Sequence, residues 1–270
     1  MTQNTYATLP PPRHYGAVNW LGFRTLLMKE IRRFLKVYFQ TILAPVVTTL
    51  LFLAVFALAL GRVAATVKGV PFVQFLAPGL IMMAMVQNAF ANTSSSLIIA
   101  KVQGNIVDML MPPLSPAEQT FAIALGGVAR GAVVGLAVGI VMALLVDMPI
   151  HSLPMIVFHG LMGSMMLSLL GMIGGIWADK FDHMAAVTNF IITPLSFLSG
   201  TFYSIDRLPE GFHAFALMNP FFYMIDGFRY GFIGQADGSI VVGIAVLGLS
   251  NLLLLAAAWV MLARGYKLKA

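Results

Sequence analysis

The chain is expected to fold as an all-α polytopic membrane protein, and three observations lead there. Of its 270 residues, 59% are hydrophobic and only 10% charged, with a mean hydropathy of +0.89. A hydrocarbon core about 30 Å thick needs roughly 20 apolar residues per helix. Such runs recur at Gln40–Leu60, Phe72–Ser95, Pro116–Val146, Leu153–Ala178, Met184–Tyr203 and Ser239–Leu262. Alternating apolar-out, polar-in segments of the β-barrel kind are absent, so the spans read as helices. The expected architecture is six transmembrane helices, an N-terminal interfacial amphipathic helix and an extracytoplasmic pair of re-entrant half-helices.

Lys and Arg set the expected orientation. With both termini in the cytoplasm, that side holds Arg13, Arg24, Lys29, Arg32, Arg33, Lys36, Lys101, Lys180, Arg264, Lys267 and Lys269. The outer side then holds Arg62, Lys68, Arg207 and Arg229, and Arg130 falls inside a span. This is the bias of a positive-inside topology. The net charge of +6 is thereby accounted for by topology and by anionic lipid headgroups at the inner leaflet. Nucleic acid need not be invoked. The first 16 residues are polar and proline-bearing, without the apolar core of a cleavable signal. No cysteine is present, which removes disulfides, thiolate catalysis and iron–sulfur clusters.

Residues 1–16 read as a disordered cytoplasmic tail, 17–38 as the interfacial helix and 39–270 as the transmembrane domain. From Ala17 to Tyr38, Trp20, Phe23, Leu27, Ile31, Phe34 and Tyr38 recur at three and four residues. Arg24, Lys29, Arg32, Arg33 and Lys36 fill the opposite side, with Glu30 among them. That pattern describes a basic helix lying in the membrane interface. It serves either as a simple anchor or as a lever to the first span.

Between the second and third spans lies a polar interruption, Lys101 to Glu118. Gln103–Met111, which contains Gly104, Asn105, Ile106, Asp108, Met109 and Leu110, is expected to form a short helix stopped by Pro112-Pro113. Ser115-Pro116-Ala117-Glu118 reads as a capping box with proline at the first helical position. A short helix held crosswise by two spans suits a mechanical contact with another protein.

The third span carries Gly127, Gly131, Gly135 and Gly139 at a strict spacing of four. Such a ridge admits a close helix neighbour, and Gly171 with Gly175 is the expected facing ridge. Between the fifth and sixth spans, 205–238, Phe212–Ile233 has the apolar length of a span but is split at Asn219-Pro220. Each half is too short to cross, which favours re-entrant half-helices, with Tyr223, Asp226 and Arg229 in the second. A seventh full span would place the C-terminus outside, against the basic tail Arg264–Lys269.

No catalytic constellation is visible. The histidines His14, His151, His159, His183 and His213 are scattered and lack zincin spacing. No phosphate-cradling G-x-x-x-x-G-K-[ST] occurs, so this chain does not bind ATP in the P-loop manner and no metal site is expected. Arg130 stands about 20 Å along the helix from the Ser115 cap, at 1.5 Å per residue. It either snorkels to the inner interface or faces a wet route as a gating residue. Gln87, Asn88, Asn92, Thr93, Ser94 and Ser95 form a polar patch that either faces a route or bonds neighbouring helices. Met82, Met83, Met85, Met162, Met165 and Met166 either line an adaptable cavity or fill helix contacts.

Together these residues resemble the ABC-2 type permeases, the membrane subunits of a class of ATP-binding-cassette exporters. The resemblance rests on Lys29-Glu30-Ile31-Arg32-Arg33-Phe34, Phe75-Leu76-Ala77-Pro78-Gly79-Leu80, Gly104–Leu110 with its prolines, and Gly126-Gly127-Val128-Ala129-Arg130-Gly131. Most telling is Asn219-Pro220-Phe221-Phe222-Tyr223-Met224-Ile225-Asp226-Gly227-Phe228-Arg229-Tyr230-Gly231. The resemblance implies a bacterial inner-membrane homodimer with two cytoplasmic ATPase subunits that hold ATP and Mg. Gln103–Met111 becomes the ATPase contact, and the second and fifth spans line the route. Pro194 would bend the fifth span, with Phe197, Phe202 and Tyr203 toward its outer end. No carbohydrate-binding domain or long outer loop is present, so amphipathic or hydrophobic cargo is favoured over polysaccharide. An ATP-independent channel or a scaffold is the alternative function.

Overall fold

The computed structural model describes residues 16–60, 66–207 and 209–268. The expected tail lies outside them apart from Gly16. The amphipathic segment forms α1 (Trp20–Leu35), capped by the Asn19 side chain. A π-helical turn, Phe39–Leu43, runs into α2 (Ala44–Leu60). A two-strand antiparallel hairpin, β1 (Thr66–Val67) and β2 (Val70–Pro71), leads into α3 (Phe72–Val102). The short α4 (Ile106–Leu110) joins α3 to α5 (Pro116–Leu145), and α6 (Leu153–Trp177) returns. Next come α7 (Phe181–Val187), a second π-helical turn Thr188–Ile192 and α8 (Thr193–Phe197). After them stand α9 (Glu210–Met218), α10 (Pro220–Ile233) and α11 (Ile240–Ala263).

Among the described residues five helices are long and apolar enough to cross a membrane: Phe39–Ala59, Phe72–Val102, Pro116–Leu145, Leu153–Trp177 and Ile240–Ala263. The expected fifth span, Met184–Tyr203, differs. It starts earlier, at Phe181, and stops at Phe197, passing through the π turn on the way. Pro194 has no N–H to offer, and the wider turn just before it absorbs the missing bond. Gly200, at φ +72°, then turns the chain away.

Two boundaries are also corrected. Helix α3 does not end at Ser95; it runs seven residues further, to Val102, and its polar residues Ser95 and Ser96 find partners on α1. The short connecting helix is Ile106–Leu110, not Gln103–Met111, because Gly104 adopts φ +74° and breaks the backbone run.

Helix α3 is the centre of the molecule. Its flank from Phe75 and Leu76 through Met82, Val86, Ala89, Thr93 and Leu97 is buried. The glycine ridge of α5 works differently from expectation. It does not meet Gly171 and Gly175. A Cβ on Gly127 would overlap the Ser168 hydroxyl of α6, and one on Gly131 would sit 2.9 Å from the Met85 carbonyl of α3. At Gly135 the Met85 side chain fills the space, while Gly139 has open space beside it. Gly171 and Gly175 instead admit the α3 backbone at Phe90 and Ser94. The three-helix seam is hydrogen-bonded: Thr93 Oγ1 donates to the Ser168 carbonyl at 2.7 Å, and Ser168 Oγ to that of Ala124 at 2.8 Å. Small residues on α5 and α6 thus let both helices close on α3.

The starts of α1, α5 and α7 gather at one end with the finishes of α3, α6 and α11. Lys101 donates to the carbonyls of Ile176 and Ala178, and Lys267 to Asp179 at 2.8 Å. We call this the basic end, and the opposite one the hairpin end.

Candidate functional site

At the basic end, α4 is held by its apolar side. Ile106 and Met109 are buried with Leu26, Leu97 and Ile123, whereas Gln103, Gly104, Asn105, Val107 and Asp108 are exposed and Leu110 is half-buried. A groove of about 340 Å³ runs between α1 and α4, bordered by Leu21, Gly22, Lys29, Asp108 and Pro112. The flanking helices are bolted together there. The Asn19 backbone donates to Glu118 Oε1, the Asn19 amide to the Pro113 carbonyl at 3.1 Å, and Ser115 N to Glu118 Oε2 at 2.6 Å. The capping box therefore forms as expected and also grips the start of α1.

The face of α1 buried against the rest of the protein shares only Phe34 with the apolar stripe expected to lie in the interface. It consists of Leu26, Glu30 and Phe34, while Trp20 and Tyr38 are exposed and Phe23, Leu27 and Ile31 are half-buried. Glu30 is fully buried over Gly126. It accepts from Ser96 Oγ at 2.8 Å and pairs with Arg33 at 3.2 Å. Arg33 in turn donates to Ser95 Oγ and Asn92 Oδ1, both at 3.1 Å. The cation is what the buried acid needs, since Glu30 is fully buried and would be costly without Arg33, which is only half-buried. Lys29 and Arg32 point to solvent.

One turn further along α3, Arg130 of α5 donates to Asn88 Oδ1 at 3.0 Å. Gln87 and Asn88 are half-buried and border two clefts on the open side of α3. One, about 280 Å³, lies toward α2 beside Thr48, Thr49 and Phe52. The other, about 420 Å³, lies toward α7 and its π turn beside Ser94, Ser95 and Thr188. Phe197 and Phe202 close the hairpin side against α2: Phe56 stacks on Phe202 at 4.4 Å, and Phe52 stands 6.4 Å from Phe197. Tyr203 is half-buried behind them.

The Asn219-Pro220 break separates α9 from α10, and Asn219 caps α10. Asn219 also donates to Ser199 Oγ at 3.1 Å, while Tyr223 packs in the core. Asp226 and Arg229 do not form an ion pair. Asp226 accepts from the backbone of Asp237 and Gly238 at 2.8 and 2.9 Å, fixing the turn before α11. Arg229 is fully buried, lies over the Phe75 ring at 3.8 Å and donates to the carbonyls of Phe75 and Gly200 at 3.1 and 2.7 Å. Nearby, Lys68 bridges Asp206 and Asp237. Burial opposes the Lys68 charge, but hydrogen bonds and charges from Asp237 and Asp206 outweigh it and raise its pKa above the ordinary lysine value.

These parts match a known family. Residues 22–233 match the model of the ABC-2 type transporter. Across 93% of this chain and 98% of the relative, the sequence is 35% identical to an inner membrane transport permease, YadH, of Escherichia coli K12. The chain belongs to the ABC-2 type transporter family.

Nodulation protein J of Rhizobium leguminosarum bv. viciae is 27% identical over 89% of this permease and 91% of its own length. That of Rhizobium meliloti is 24% identical over 72% and 74%. For this ABC-2 permease the structure brings Glu30, Arg33, Asn88, Asn92 and Arg130 into one cluster, and it leaves the α4 residues and the α10 residues in separate places. Sequence reasoning missed several partners. Asn19 was legible as a helix cap before Gly22. His159, buried on α6 against Gly227 of α10, had no signal beyond its lone position in a span. The Lys101–Asp179–Lys267 meeting joins residues too far apart in sequence to be paired by pattern. Among the described residues no three His, Asp or Glu side chains gather as a metal site.

Proposed function

We propose that this permease is the membrane subunit of an ATP-driven exporter, moving an amphipathic or hydrophobic substrate out of the cytoplasm or its inner leaflet. The carrying observation is α4: five residues anchored by Ile106 and Met109, with Gln103–Asn105 and Asp108 presented outward at the end of α3. ABC-2 permeases pair with a cytoplasmic ATPase, and this is the element positioned to receive its push. In this reading two ATPase copies hold ATP and Mg, and two permease copies meet across the open side of α3. The chain sits in the inner membrane with both termini in the cytoplasm. The helical stretch Phe181–Phe197 counts as the fifth of six crossings, α9 and α10 as the re-entrant pair and α1 as the interfacial helix in contact with lipid. The polar clefts beside Gln87 and Asn88, between α2 and the π-kinked α7–α8 limb, form the route. The packed block of α3, α5 and α6 transmits motion as a unit.

Co-purification with the ABC ATPase from the same genetic neighbourhood, followed by ATP hydrolysis in reconstituted membranes, tests this. A stable assembly is expected, and Asp108→Arg should cut permease-dependent hydrolysis severalfold while leaving insertion intact. A permease that purifies without a nucleotide-binding partner, or hydrolysis indifferent to Asp108→Arg, would sink the reading.

A further inference from the structure

The cluster at the middle of α3 carries more positive charge than it can neutralise. Arg33 and Arg130 reach Asn92 and Asn88, one turn apart on the same helix. Glu30 is the single carboxylate there, and Arg33 and Ser96 use it. None of the ion pairs among the described residues includes Arg130. Its one hydrogen-bond partner is the neutral Asn88 amide, and its Nε is buried without a partner. The Asn92 Nδ2, on a fully buried side chain, is a second unpartnered donor. A charge at this depth is expensive unless it is paired or faces water. Asn88 borders both polar clefts and is the hydrogen-bond partner of Arg130, so a ligand beside Asn88 in either cleft lies one hydrogen bond from the guanidinium.

We infer that Arg130 and Asn88 form an anion-recognition site that pairs with the phosphate or carboxylate head of a single- or double-chain amphiphile. The inference deepens the exporter reading, on which it rests for the role of the clefts. The chemistry of the site explains the choice. A guanidinium binds phosphate or carboxylate through two parallel N–H groups, and the Asn88 amide, whose Nδ2 gives one hydrogen to the Ala84 carbonyl at 3.0 Å, has a second N–H to offer. The neighbouring walls are apolar at Ile98, Met184 and Ile192, which suits an attached hydrocarbon chain. The anion can come from a bilayer lipid or from a dissolved amphiphile. Both present the same head to Arg130.

The test uses the permease alone in nanodiscs, so it does not depend on the ATPase. In phosphatidylcholine discs, dodecyl phosphate below its micellar concentration should raise the Tm of the wild type by a few degrees. Dodecyl maltoside, with the same chain and no charge, should not. Arg130→Gln should lose the dodecyl phosphate shift. Asn88→Asp places a carboxylate beside Arg130 within the protein, so it should raise Tm without ligand and abolish the response. Phosphatidylglycerol in the disc separates the two sources. If it raises the wild-type Tm and removes the effect of dodecyl phosphate, the bilayer headgroup is the occupant. If it changes nothing while dodecyl phosphate acts, the occupant is a dissolved amphiphile. Equal shifts in wild type and Arg130→Gln, no shift with either anion, or a full response retained by Asn88→Asp would overturn the proposal. Failure here with intact ATPase coupling would leave the exporter reading standing; the reverse would show an anion site on a protein that is not ATP-driven.

Discussion

The two sides of α3 make opposite use of the same membrane-spanning helix. On the closed side, Phe75, Gly79, Met82, Val86, Ala89, Thr93 and Leu97 are covered by α5, α6 and α10, with glycines and serines permitting near backbone contact. On the open side, Gln87, Asn88 and Ser95 line clefts toward two limbs that each contain a π-helical turn followed by a proline: Phe39–Leu43 before Pro45, and Thr188–Ile192 before Pro194. Packed interiors resist small displacements, whereas irregular turns are where helices bend. A transporter needs a rigid part to carry force and a yielding part to open a path. Here the boundary between a packed side and an open side runs along a single helix.

The largest expected effect breaks the closed side. Arg229→Ala removes the ligand of the Phe75 and Gly200 carbonyls and leaves a cavity over Phe75, at a cost of about 3–5 kcal/mol. Unfolding in detergent, followed by midpoint, should show it. Gly171→Val pushes a side chain into the Phe90 carbonyl and should lose about 1–3 kcal/mol by the same assay. The open side should answer differently. Gln87→Leu should stay within about 0.5 kcal/mol of wild type in stability, yet alter permease-dependent ATP hydrolysis in the reconstituted complex. A large stability loss there would erase the contrast.

The smallest effect concerns the basic end, where the finishes of α3, α6 and α11 meet. The Lys267 hydrogen bond holds the Asp179 carboxyl below its ordinary value, and Asp179 in turn raises Lys267. A depressed carboxylate contributes above its unfolded value of 3.8, and that contribution is lost as pH falls through the folded value. A raised lysine contributes below 10.5, and its share is lost as pH climbs through its folded value. The stability difference between wild type and Asp179→Asn should therefore be flat and small across neutral pH and vanish at both extremes.

Much of this contrast could be read from residue patterns. Hydropathy located the five long helices, Ser115–Glu118 announced its capping box, and Asn219-Pro220 marked the split between α9 and α10. The failures share one cause: partners distant in the chain. The charge pattern of α1 grouped Glu30 with the basic residues of the polar face, but Ser96 of α3 and Arg33, itself held by Asn92, bury it against α3. The regular spacing of the α5 glycines indicated a close neighbour, but Ser168 of α6 and Met85 of α3 stand where Gly171 and Gly175 were expected. The pattern puts Asp226 and Arg229 on the second half-helix and names no partner for either. Their partners are backbone groups far along the chain, at Asp237 and Phe75. For the candidate site, residue types were legible and their grouping was not.

The absence of native cysteine makes the decisive measurement simple. Single cysteines at Gln87, Asn88 and Ser95, and at Ala89, Thr93 and Leu97, would be exposed in nanodiscs to a water-soluble maleimide. The account predicts ready modification at the first three and none at the second three. Equal reactivity on both sides of α3, or no reaction at Gln87, Asn88 and Ser95, would contradict a polar route running beside a sealed block.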